Sequence, residues 1–115
     1  MQHHHTQLEQ LRTLCNGDVE RMKRYITMFL QGTPQVLEQM RADQVAGQLE
    51  SLARNAHGLK PQAAYMGATV LNEQLQRLEQ LGREGDLQGS VSALDECVRT
   101  HAAVMDELKA LLDQL

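Results

Sequence analysis

The stretch Ala56-His57-Gly58-Leu59-Lys60-Pro61-Gln62-Ala63-Ala64-Tyr65-Met66-Gly67 sets a histidine and a proline inside a run of helical periodicity. Ala56, Leu59, Ala63 and Met66 recur at helical spacing. The same steps of three and four run back through Leu52 and Leu49 to Val45. Such a pattern predicts a helix with one apolar seam and an outward polar face. Pro61 removes one backbone donor and disfavours helical geometry at Lys60. The seam nevertheless keeps its phase across Pro61, which predicts a kinked but continuing helix. Gly67 is placed to end it in the left-handed conformation that closes many helices.

Working outward, Leu8, Leu11 and Leu14 form a short first helix stopped by Gly17. Asp18 reads as an N-cap. After it Val19, Met22, Ile26, Phe29, Thr33, Val36 and Met40 make a second seam. Gly32-Thr33-Pro34 carries stop and restart signals, but the seam holds phase there too. One long helix from about 18 to 43 is expected, with two collinear helices as the alternative. Beyond Gly67, Thr69 is a candidate cap. Leu71, Leu75, Leu78 and Leu81 form the next seam, and Gly82 and Gly85 end it. Asp86 can cap the last helix, whose predicted seam is Leu87, Val91, Leu94, Val98, His101, Met105, Leu108, Leu112 and Leu115. Gly89 weakens its first turn, so the regular helix is expected to start nearer Ser90.

Four long amphipathic helices with short connections predict an all-α fold, an antiparallel up-down four-helix bundle with a short additional N-terminal helix. At 115 residues the chain suits one domain, expected over 8–115. Residues 1–7, with His3, His4 and His5, are expected to be a disordered tail or the remnant of an expression tag rather than a metal site.

Composition narrows the function classes. Aromatic residues are only 3%, so the core must come from Leu, Val, Met and Ala, which suits helices. The formal charge of −4, with no basic stripe, argues against nucleic acid. Cys15 and Cys97 lack zinc-ligand spacing and read as free thiols of a reducing cytosol, with a disulfide between them left open. No apolar run is long enough to span a bilayer, so direct membrane binding is not expected; the chain could still be a segment of a membrane-anchored parent. No Glu-x-x-His pair supports a di-iron bundle. No P-loop or kinase-type glycine-rich loop is present, so a kinase activity of its own is not expected.

At about 100 degrees per residue, His57 lies roughly 130 degrees from the buried direction of its helix. Gly58 lies beside it, and Pro61 and Ala64 share its stripe; none can cover an imidazole. Lys60, three residues on, is within reach. A cation there favours the neutral, nucleophilic ring and could later hold an anionic group placed on it. Taken on periodicity alone, an outward His with a Lys at i+3 is an ordinary solvated pair.

The residues Ala-His-Gly-Leu-Lys-Pro, with Gly67 ten positions after the histidine, resemble the signature of histidine-containing phosphotransfer (HPt) domains. His57, Leu59, Lys60 and Gly67 match that pattern, and the resemblance extends over about 8–112. Pro61 departs from it, since glycine is common there. The resemblance implies a four-helix bundle and a phosphorelay intermediate. His57 would be the phosphoacceptor, commonly through Nε2, and Lys60 would stabilise the phosphoryl group. Gly58, Pro61, Ala64 and Gly67 would leave access. The implied partners are receiver domains of response regulators or hybrid sensor kinases. Mg²⁺ would belong to the receiver, and this chain would need no cofactor. A cytoplasmic monomer is expected. The competing reading is a helical scaffold module with an inactive site. His101 lies on a seam and reads as a core histidine. Arg54, Gln76, Glu79 and Arg83 border the site but read as solvated faces. Met22, Met40, Met66 and Met105 read as core filler, while Met28 is off the seam.

Overall fold

A computed structural model describes residues 5–115. His3 and His4 lie outside the described residues. Five helices follow in order: α1 (Glu9–Leu14), α2 (Val19–Val45), α3 (Leu49–Tyr65), α4 (Thr69–Arg83) and α5 (Leu87–Gln114). Each of the four long helices packs on two others, α2 on α3 and α5, α4 on α3 and α5, which closes a ring; α1 rests on α2. Side-chain bonds fix the antiparallel order. On α2, Thr33, Arg41 and Gln44 meet His101, Asp95 and Ser90 on α5, numbers rising on one helix as they fall on the other.

Local chemistry explains the ends. The Asp18 carboxylate accepts the free Glu20 and Arg21 N–H groups at 3.0 and 3.3 Å, as an N-cap should. α2 runs unbroken through Pro34, so the single long helix holds and the collinear pair does not. α3 likewise continues through Pro61. It closes at Gly67 (φ +64°), where Ala68 N–H reaches Ala63 C=O at 2.9 Å and Gly67 N–H reaches Ala64 C=O at 2.9 Å.

Several expectations are corrected. Thr69 does not cap α4; the preceding residue, Ala68, holds the cap position without a side-chain bond, and Thr69 is already helical. Gly82 does not end α4. It is buried inside the helix, where an added Cβ would come within 2.9 Å of Leu49 O, so it lets α3 and α4 touch. α5 starts at Leu87, not Ser90, because the Asp86 carboxylate accepts Gly89 N–H at 2.8 Å. A side chain at 89 would overlap that carboxylate, its Cβ 2.4 Å from Oδ2.

The seams also shift. Val45 is 82% exposed, because it ends α2 instead of starting the α3 stripe. On α2, Leu37 is buried and Val36 only partly. On α5, Leu87, Val91 and Val98 are exposed, and the buried line is Ser90, Leu94, Cys97, His101, Val104, Leu108 and Leu111. Two stripes at the same period share Leu94, His101 and Leu108; periodicity alone cannot choose which flank faces the neighbours. Met22, Met40 and Met66 are core, Met105 is partly buried and Met28 is exposed. Both cysteines are buried and free, so no disulfide links them.

Residues 5–7 are ordered parts of the domain, so the expected boundary before Leu8 falls too late. His5 N–H and the Thr6 hydroxyl donate to the Glu107 carboxylate at 2.8 and 3.1 Å, and Gln7 N–H donates to Met66 O at 3.1 Å. The Gln7 backbone lies directly on Gly67, where an added Cβ would be 1.9 Å from Gln7 O. Gly67 therefore serves chain reversal and this crossing, a reason unrelated to access at His57.

Candidate functional site

α3 and α4 cross closely at Gly82 and run antiparallel, so residues three and four apart on one meet a matching stripe on the other. His57 and Lys60 on α3 face Asn72, Gln76, Glu79 and Arg83 on α4, all on one α4 stripe. The His57 side chain is 63% exposed, as its position off the seam predicts.

Glu79 organises the group. It is buried, beside the core residue Leu78. Its Oε1 lies 2.7 Å from Lys60 Nζ. Its Oε2 accepts Arg83 Nε and Nη2 at 3.1 and 2.8 Å and lies 3.1 Å from His57 Nδ1. The Lys60 bond, foremost, and the Arg83 bond outweigh burial and bring the Glu79 carboxyl from 4.5 down to about 2. Glu79 is thus ionised at neutral pH and can only accept. His57 Nδ1 must therefore carry the hydrogen, and the neutral ring keeps its lone pair on Nε2, which has no protein partner among the described residues.

Lys60 does not stand as a lone cation beside the imidazole. It is held by Glu79 Oε1 and donates to Gln76 Oε1 at 2.5 Å, while its own carbonyl accepts from Asn72 Nδ2 at 2.9 Å. The approach to His57 is open: Gly58 is exposed with nothing within 4 Å of an added Cβ, Pro61 is exposed and Ala64 is half-buried. Ala64 and Gly67 line one side of a 260 Å³ cleft shared with Gln7, Thr69 and Asn72.

Glu79 is buried and not part of a solvated face; Gln76 and Arg83 are exposed as expected, yet they join it, His57 and Lys60 in one network. Arg54 is exposed and stays out of it. The spacing 72, 76, 79, 83 is a helical stripe, and one acid between Gln76 and Arg83 on the helix after His57 was the available signal. His101 is buried as expected, its Nε2 2.8 Å from Thr33 Oγ1. Among the described residues no cluster of three His, Cys, Asp or Glu side chains could hold a metal ion, and no helix is long and apolar enough to cross a membrane.

An all-helical bundle that presents the His57 imidazole on its outer face, fixed from behind by the Glu79 carboxylate, is a scaffold for chemistry at a surface histidine. A family model for the Hpt domain matches residues 24–115, and the chain belongs to that family. Membership places it among the histidine phosphotransfer domains of phosphorelays. Among solved structures, histidine-containing phosphotransfer protein B (HptB) from Pseudomonas aeruginosa PAO1 is similar: 23% identity, 99% of each chain covered, TM-score 0.90. At that identity the likeness is one of fold. A comparison with curated proteins finds no match.

Proposed function

We propose that the protein is a phosphorelay intermediate: His57 accepts a phosphoryl group from a receiver-domain aspartyl phosphate and passes it to another receiver aspartate. The observation that carries this reading is the exposed His57 ring with Nδ1 held by ionised Glu79 and Nε2 free. The Nε2 lone pair attacks phosphorus, an N–P bond forms, and the P–O bond electrons return to the receiver aspartate. The ring keeps its Nδ1 hydrogen and gains positive charge, which the Glu79 carboxylate stabilises where it develops. Lys60 donates to the phosphoryl oxygens. Gly58, Pro61 and Ala64 leave the approach clear for the receiver.

The protein acts as a carrier without kinase activity. Its partners are receiver domains, which supply the acidic pocket and Mg²⁺. It works as a cytoplasmic monomer, alone or as part of a larger sensor kinase. Incubation with a phosphorylated receiver panel tests the reading. Wild type should gain acid-labile, base-stable label and His57→Gln should not. No label on wild type across the panel would favour a scaffold module.

A further inference from the structure

Glu79 meets three partners with two oxygens. Lys60 takes Oε1, while Arg83 and His57 share Oε2. Gln76 Oε1 grips the same ammonium. These two contacts occupy two of the ammonium's three N–H donors, so Lys60 gives a phosphoryl group on Nε2 more than one bond only by turning away from Glu79 or Gln76. If it turned from Glu79 toward that group, the buried carboxylate would lose its closest counter-charge, and a buried carboxylate without a cation is costly. Arg83 is the cation that can remain. It lies one turn further along α4, makes two hydrogen bonds to Oε2 and none of its bonds reach Lys60 or Gln76.

We propose that Arg83 is a positioning residue that holds the Glu79 carboxylate against His57 Nδ1 while Lys60 leaves Glu79 for the phosphoryl group. The inference rests on His57 as phosphoacceptor. Charge balance supports the exchange. Before transfer one carboxylate faces two cations and a neutral ring, leaving one positive charge in excess. The incoming PO₃ group carries one net negative charge, so the loaded site is neutral: a positive ring, a doubly negative phosphoryl group, Lys60, Arg83 and Glu79. Of the two cations paired with Glu79 among the described residues, loss of Arg83 leaves Lys60 for two anionic groups, and Gln76 biases it toward Glu79.

A double-mutant cycle tests this. Wild type, Arg83→Gln, Lys60→Ala and the double variant are labelled from an aspartyl-phosphorylated receiver with Mg²⁺, and phosphohistidine half-lives are measured. Melting curves check that each is folded; Arg83 is 56% exposed, so its replacement spares the core. Lys60→Ala should shorten the half-life about three- to tenfold when Arg83 is present, and hardly at all in the Arg83→Gln background. Arg83→Lys should restore the effect of Lys60. A purely structural Arg83 would give independent, additive losses, and that result would overturn the inference while leaving His57 as acceptor. A wild-type half-life in Arg83→Gln would overturn it too. Failure of wild type to label would overturn both.

Discussion

His57 and His101 sit on two faces of one bundle and use the same ring atoms in opposite ways. His101 is buried between α5 and α2. The Thr33 hydroxyl donates to Phe29 O at 2.7 Å, so its oxygen accepts from His101 Nε2–H at 2.8 Å, and the Phe29 ring lies 6.0 Å away. Nε2 of His101 is thereby consumed by the fold, and burial holds its pKa below the usual 6.5. His57 has its Nδ1 consumed by Glu79 and its Nε2 turned to solvent. A hydrogen bond from inside the bundle decides, in each case, which nitrogen is spent on structure. Of the two, His57 offers its remaining nitrogen from an exposed side chain, whereas burial closes off what is left of His101.

The largest expected contrast is in labelling. His57→Gln should lose all receiver-derived label, while His101→Gln should keep it, measured on folded protein. Label surviving on His57→Gln would dissolve the distinction between the two rings.

Stability should rank them the other way. His101→Ala opens a cavity and takes away the donor to the Thr33 oxygen, costing about 2–4 kcal/mol in urea unfolding. His57→Ala should stay within about 0.5 kcal/mol. Equal losses would mean that His57 is a structural residue.

Glu79→Gln sharpens the comparison at the site itself. The amide oxygen can still accept from Nδ1–H, so the ring keeps its orientation, but the charge is gone. Transfer to His57 should slow about tenfold, since a charge-assisted bond becomes a neutral one. A rate equal to wild type would remove Glu79 from the chemistry.

The smallest effects are in acid. His101 titrates lower when folded than unfolded, so the folded state binds fewer protons. Its contribution is full above about pH 6.5 and is lost as pH falls through the folded value. Glu79, brought from 4.5 to about 2, contributes fully above 4.5 and loses that contribution between 4.5 and 2. Unfolding midpoints measured across this range should show both windows. His101→Gln should flatten the upper one and Glu79→Gln the lower. If neither variant changes the acid limb, the two groups are not its source.

Much of this was legible in the residues. The periodic runs, Asp18, Asp86 and Gly67 mark the helices, and the seam phase carries α2 and α3 through their prolines because packing of an apolar face outweighs one missing hydrogen bond. His57 is outward by the same periodicity. The flanks of α2 and α5 were not legible, because an amphipathic stripe is broader than a single line of residues. The alternatives Val36 or Leu37, and Val98 or Cys97, differ only in which neighbour lies on which side.

The amino-acid sequence by itself determined the helices, the bundle class and the histidine with its lysine, since these depend on contacts within a few residues along one helix. Tertiary structure alone decided that Lys60 answers to Glu79 and Gln76, that the carboxylate Arg83 holds from i+4 also faces His57, and that Gly67 carries the Gln7 backbone. Those contacts join positions from 16 to 60 residues apart: the α3–α4 ones are set by how the two helices cross, and Gln7 reaches Gly67 from the segment ahead of α1. The crossing itself comes from the close α3–α4 approach at Gly82, a packing fact that no single helix contains.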